Sequence, residues 1–282
     1  MNKKNEYKKV WKTSKRLERN YERILKVVQN QFFQAIANQN NANEMINTLK
    51  VISRQHSFET YCQEIALKMV TSVYKKTEGN WRKAAEQNTK GRKIYEALKK
   101  EKNNIIMENA IQKLVEQNAV LIKTLPLDIA NDITKYIEKE TTKGRRAEEL
   151  AQEIKTKFPQ KSKANAKCIA RTEVSKAQSA LTKTRAELLN IQWYTWRTSQ
   201  DERVRNAHKH MEGVLVSWKD PPSPEQLSKS KYQYGKYHAG EIFNCRCYAE
   251  PIVDIRFVKF PCKVYYHSNI VRMTKAEFLK IM

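Results

Sequence analysis

Glycine is scarce in this sequence: six residues in 282, four of them at or after Gly144. A chain so poor in glycine and rich in Lys, Glu, Gln and Ala favours helix, because those side chains lose little rotamer freedom there. A mostly α protein is expected, with β structure confined to the C-terminal third. Long apolar runs are missing too. No stretch reaches about 18 apolar residues, and the opening MNKKNEYKKVWK lacks the apolar core of a signal peptide. These absences argue against a membrane span and predict a chain made and used in the cytoplasm. Acidic residues are in deficit, 30 against 54 Lys+Arg, for a net charge of +24. Repulsion on that scale opposes compaction unless a polyanion or acidic partner offsets it, and double-stranded DNA is the obvious polyanion. The five cysteines, an odd number without a secretory signal, argue against a disulfide framework. There is no Gly-rich phosphate loop, no Walker-type lysine and no His-Glu-x-x-His, so a helicase, ATPase or metalloprotease is unsupported. Neither a 20–50-residue repeat nor a low-complexity linker is present.

What is present divides into four expected segments: a basic helical region over 1–117, a helical connector over 118–162, a small C-terminal domain over 163–260 and a tail over 261–282. Tyr7, Val10, Leu17, Tyr21, Ile24, Val28, Phe32 and Ile36 recur mainly at steps of three and four, which predicts one amphipathic helix over about 5–39. Basic residues crowd its first two thirds, and Lys8, Lys12, Lys15, Arg16, Arg19 and Arg23 are the candidates to face DNA; an ordinary solvated helix face is the commoner source of such a pattern. Further helices are expected at about 43–54, 57–76, 79–88, 91–117, 126–140, 145–158 and 163–189. Gly79-Asn80, Gly91, Pro126 and Pro159–Ser162 serve as breaks between them, and Gly144 as a left-handed C-cap. Trp81, Tyr61, Tyr74 and Tyr95 read as packing residues. Beyond 190 the pattern becomes strand-like at 192–198, 214–218, 245–253 and 257–266, with a long loop between the second and third strands. The fold class is therefore α+β: a predominantly helical N-terminal region followed by a small domain with a short, mostly antiparallel sheet.

Chemistry-bearing residues concentrate in the last 120 or so positions. Cys245 and Cys247, two apart, share one side of a strand, and of the nearby His208, His210 and His238, His208 and His238 are the candidates to join them. Thiolates and imidazoles in that number suit zinc, while Cys-x-Cys also occurs as two ordinary buried thiols. Cys168 and Cys262 read as buried small apolar residues. Arg203, Arg205 and His208 beside Asp201 have the residue types of a metal-independent nuclease, His as general base and Arg for phosphate charge. The alternative is structural: Asp201 caps the turn after Thr198–Gln200, and the arginines fork onto Glu173 or Glu187 of the preceding helix.

Taken together, Ala170-Arg171-Thr172-Glu173, Trp196, Asp201-x-Arg203-x-Arg205-x-x-His208, Gly213, His238-x-Gly240-Glu241 and Asn244-Cys245-Arg246-Cys247 resemble the phage Mu F-like minor head protein family. The likeness is specific over about 118–253 and general before that. The family often has Pro-Gly where this chain has Ala239-Gly240, and the tail after 253 corresponds to nothing that can be placed. The resemblance implies a non-enzymatic, low-copy component of the phage head interior, assembled in the host cytoplasm. Its implied partners are the portal protein, a scaffold or major capsid protein and packaged double-stranded DNA, without a membrane. Two other classes compete: a nucleic-acid-cleaving effector using Arg205 and His208, and a cellular basic DNA-binding protein.

Overall fold

The structure, a computed structural model, describes residues 10–87, 91–101, 103–145 and 147–282. Lys8, with Tyr7 and Lys9, lies outside the described residues. Among the described residues, six helices come first: α1 (Lys15–Ile36), α2 (Ala42–Arg54), α3 (His56–Glu86), α4 (Gly91–Glu101), α5 (Ile105–Thr141) and α6 (Ala147–Leu188). The order then runs β1 (Trp193–Arg197), α7 (Asn206–His210), β2 (Leu215–Ser217), α8 (Pro224–Leu227), β3 (Tyr248–Pro251), β4 (Cys262–Tyr266), β5 (Asn269–Met273) and α9 (Lys275–Ile281). The α+β expectation holds. Among the described residues, no helix is long and apolar enough to cross a membrane.

Several expected boundaries moved. The helix foreseen over 5–39 begins at Lys15, and Trp11 before it is buried. Thr13 and Ser14 precede that first turn, residue types that favour helix starts. Gly79-Asn80 does not break α3, where Thr77, Asn80 and Trp81 are all buried. Pro126 and Pro159 sit inside α5 and α6. A proline in a helix interior costs about 3 kcal/mol, and apolar residues buried on both sides of each, Leu125 and Ile129, Phe158 and Ala166, offset it. Gly144 does end α5 as expected, with φ +83° and the Arg145 N–H returning to the Glu140 carbonyl.

The chain forms two compact units. One comprises Lys15–Val70 and Gln112–Arg171 and is all helical. Its apolar stripe on α1 is Tyr21, Leu25, Val28, Phe32 and Ile36, all buried. Phe32 meets Phe58 edge-on at 5.5 Å, Tyr21 donates to Asn118 Oδ1 at 3.3 Å, and Lys123 pairs with Glu59 at 2.9 Å.

The other unit comprises Met1–Ser14, Thr71–Ile111 and Thr172–Met282. Its sheet has the order β3-β1-β2-β4-β5, antiparallel except for the parallel pair β2–β4. The fourth strand is shorter than expected, because a 3-10 turn occupies Ile255–Phe257. The tail supplies β5 and α9, which no sequence pattern had suggested. Successive β1 residues point to opposite faces. Tyr194 and Trp196 enter a core with Val216, Trp81, Ala85, Ile94, Leu98 and Ala186, while Trp193 enters a second with Leu215, Val264 and Phe278 of α9. Thus α4 and the end of α3 help to build the core beneath the sheet. Arg185 of α6 and Glu101 of α4 complete it as a buried ion pair, with Nε within 2.9 Å of both carboxylate oxygens.

Candidate functional site

The segments carrying the signature meet beside the sheet. Gly213 adopts φ +78° and donates its N–H to the Trp196 carbonyl at 2.9 Å, which turns the chain from α7 into β2. Asn244-Cys245-Arg246-Cys247 does not open the third strand as expected; it forms a turn before β3. Three ties hold that turn. The Asn244 N–H donates to Thr172 Oγ1 at 2.8 Å, with Asn244 at φ +52°. Arg246 Nη1 pairs with Asp201 Oδ2, and the other carboxylate oxygen accepts the Arg203 N–H at 3.1 Å. Gly240, at φ +93°, passes so close that a Cβ would stand 3.0 Å from Ser175 Oγ and 3.2 Å from the Cys247 carbonyl.

At the centre lie His208 of α7, Cys245 and Cys247, all buried, their donor atoms within 4.8 Å of one another. His208 Nδ1 is 3.6 Å from Cys245 Sγ and 3.3 Å from Cys247 Sγ. Its Nε2 lies 2.9 Å from the Tyr237 hydroxyl, which donates to Glu225 Oε1 at 2.6 Å. Trp196 meets the imidazole edge-on at 5.7 Å. A hydrogen bond from Cys247 holds the Cys245 thiol well below the ordinary range, and burial, reinforced by Cys245, pushes Cys247 well above it. Burial, followed by the hydrogen bond to Glu225, also raises the Tyr237 phenol, so it stays a donor to that carboxylate.

His238, the fourth expected ligand, is not part of this group. Its Nδ1 faces the Tyr194 hydroxyl at 3.2 Å, and its ring packs on Trp218. Burial, helped by the charge of Lys183, lowers it to about 4. The expected forks from Arg203 and Arg205 to Glu173 or Glu187 are not formed either. Arg203 is exposed, while Arg205 donates to the Phe243 carbonyl at 3.0 Å and lies over the Phe243 ring. Glu173 pairs with Lys176 at 3.0 Å, and Arg171 approaches Glu18 at 3.9 Å. The turn cap at Asp201 is as expected, but its arginine is Arg246, the one nearest the cysteines. Cys168 and Cys262 are only half-buried, and Cys62 is the fully buried isolated thiol, pushed up to about 12 by burial.

The nuclease-like grouping is not assembled. His208 is 2% exposed and both its ring nitrogens are engaged inside the fold, so it does not face a substrate phosphate. Sequence reasoning missed Tyr237 and Glu225. Both lie in the long loop, where α8 and the Tyr237 N–H bond to the Pro222 carbonyl bring them under α7.

The candidate DNA-facing residues are all on the surface where described: Lys12, Lys15, Arg16, Arg19 and Arg23 are exposed. Helical geometry places the last four within an arc of about 100° on α1, facing away from the buried stripe.

Residues 131–250 match the family described as Phage Mu protein F like protein. The matched stretch runs from within α5 to within β3 and so takes in the His208, Cys245 and Cys247 group. An uncharacterized protein of Haemophilus influenzae is 29% identical over 153 residues, 54% of this chain and 32% of that one. The alignment thus spans about a third of the relative's length. No solved structure matches the chain.

Proposed function

We propose that this protein is a phage minor head protein, on the match of residues 131–250 to the family described as Phage Mu protein F like protein. In this reading it is a low-copy, non-enzymatic component of the procapsid and virion interior, folded in the host cytoplasm. It sits with the portal and packaged DNA, touches scaffold or major capsid protein, and supports head assembly, DNA packaging or ejection. The family match carries the reading. The net charge of +24 and the ridge of Lys15, Arg16, Arg19 and Arg23 support the DNA contact. A ridge of long cations along a helix tracks phosphates without reading bases.

The test is a salt titration of binding to non-specific duplex DNA. Each neutralised phosphate adds about 0.9 to the slope of log K against log salt. Replacing all four ridge residues with alanine is expected to flatten that slope by about 3 to 4. Binding that is flat in salt, or a slope unchanged in the variant, would sink the DNA contact. The charge would then serve an acidic protein partner, and co-purification with the phage's own portal protein would decide whether the head assignment stands.

A further inference from the structure

In the buried trio of His208, Cys245 and Cys247, two thiols share one imidazole nitrogen. Both sulfurs converge on Nδ1, at 3.3 and 3.6 Å. The single in-plane lone pair of that nitrogen accepts one good hydrogen bond, so the imidazole serves only one of the two thiols aimed at it. A cation between the three atoms satisfies all of them. With Zn–S near 2.3 Å and Zn–N near 2.0–2.1 Å, tetrahedral geometry sets sulfur and nitrogen about 3.6 Å apart, close to the 3.6 and 3.3 Å found for Cys245 and Cys247.

The surroundings fit the same occupant. Glu225 accepts the Tyr237 O–H in a 2.6 Å bond, so the Tyr237 oxygen is left to accept from His208 Nε2–H at 2.9 Å. That relay holds the tautomer whose Nδ1 lone pair points at the sulfurs, and a fixed outer partner of this kind is the usual companion of a metal-bound imidazole. The Cys247 N–H reaches Cys245 Sγ at 3.4 Å, a donor that favours a thiolate. Two thiolates and a divalent ion sum to zero charge, which suits a site buried on all sides.

We propose that His208 Nδ1, Cys245 Sγ and Cys247 Sγ bind one divalent ion of the zinc class, clamping α7 to the turn before β3. Binding releases both thiol protons to solvent and leaves one coordination position to water or another ligand. His238 takes no part, and Tyr237 is a positioning residue for His208.

The experiment uses the full chain, purified under reductant without chelator. Elemental mass spectrometry is expected to find about one zinc per chain after dialysis. Chelator-treated protein titrated with Co²⁺ is expected to develop a thiolate-to-cobalt charge-transfer band that added Zn²⁺ abolishes. The band persists in His238→Asn and in the triple variant Cys62→Ala, Cys168→Ala, Cys262→Ala, and disappears in Cys245→Ser with Cys247→Ser. Tyr237→Phe lowers zinc affinity by about 10–100-fold. Zinc well below stoichiometry with no cobalt band overturns the proposal. So does a Cys245–Cys247 disulfide in the reduced preparation, or a band that survives loss of both cysteines. Should the double-cysteine variant fail to fold, the wild-type cobalt spectrum and the triple variant still decide the matter.

Discussion

Replacing Arg185 alone is expected to destabilise the protein more than almost any other single change. The guanidinium is 1% exposed and its Glu101 partner 3%. Nε reaches the two carboxylate oxygens at 2.9 and 2.8 Å, Nη2 reaches one of them at 2.6 Å, and Nη1 donates to Thr77 Oγ1. The Tyr74 ring lies 4.8 Å beneath the guanidinium. Arg185→Met leaves a carboxylate in the core with neither water nor a cation, and breaking a buried pair in this way costs about 3–5 kcal/mol. That is a large share of the roughly 5–15 kcal/mol that holds a domain together. Removing both charges is a different perturbation, because apolar residues of similar volume often replace a buried pair at little cost. Arg185→Met with Glu101→Leu is therefore expected to be more stable than either single variant, with a coupling energy of about 3 kcal/mol, at the upper end of measured values. The assay is urea unfolding followed by tryptophan fluorescence. All five tryptophans, Trp11, Trp81, Trp193, Trp196 and Trp218, belong to the unit that holds the pair, so the signal reports that unit alone. A single-variant loss under about 1 kcal/mol, or strict additivity, would refute the reasoning.

Three further outcomes are expected. His238 is buried with its pKa lowered to about 4 against 6.5 for an ordinary imidazole, so its neutral form favours folding. That contribution is complete above about pH 6.5 and lost as pH falls toward 4, by roughly 3 kcal/mol in all; a wild-type acid limb no steeper than that of His238→Asn would count against it. Gly240→Ala combines a left-handed φ with a Cβ placed 3.0 Å from Ser175 Oγ and is expected to cost about 2–4 kcal/mol. Gly235→Ala, at φ +84° in open space, is expected to cost only about 1–2 kcal/mol, and equal melting shifts would show that crowding at Gly240 is not felt. Asp201→Asn weakens the tie to Arg246 and is expected to raise hydrogen exchange in 244–247 while leaving the α4 amides unchanged; uniform exchange would disprove that local role.

Composition and periodicity made the helical region legible, because helix propensity and an apolar stripe are local properties. The buried stripe of α1 and the packing role of Trp81 were readable on those grounds. The prolines misled because a local breaker signal competes with tertiary burial, and at Pro126 and Pro159 burial won. The last strand and α9 were illegible for a related reason: β5 has little burial of its own and gains its place from pairing with β4. At the candidate site, His208, Cys245 and Cys247 were named from residue types alone, but choosing between His208 and His238 needed geometry, since each lies in the same stretch of sequence as the cysteines. The arginine partners were wrong because a side chain as long as arginine reaches many carboxylates, and the fold alone selects Asp201 for Arg246 and Glu250 for Arg197. Glu225 carries no sequence signal at all; only the proximity of Tyr237 gives it meaning.

The two units are interleaved along the chain, and that has a consequence for synthesis on the ribosome. The helical unit holds all its segments once Arg171 has emerged. The other must keep Trp11, Trp81, Ile94 and Leu98 waiting for the strands that cover them. Between Leu98 and Trp218 lie roughly 120 residues, which at about 5–20 residues per second takes about 6–24 s. Apolar side chains left uncovered that long are targets for holding chaperones and for encounters with other nascent chains. The order of the genetic message thus makes the early aromatic residues the vulnerable part of the nascent protein, and slow translation across 99–218 would lengthen their exposure.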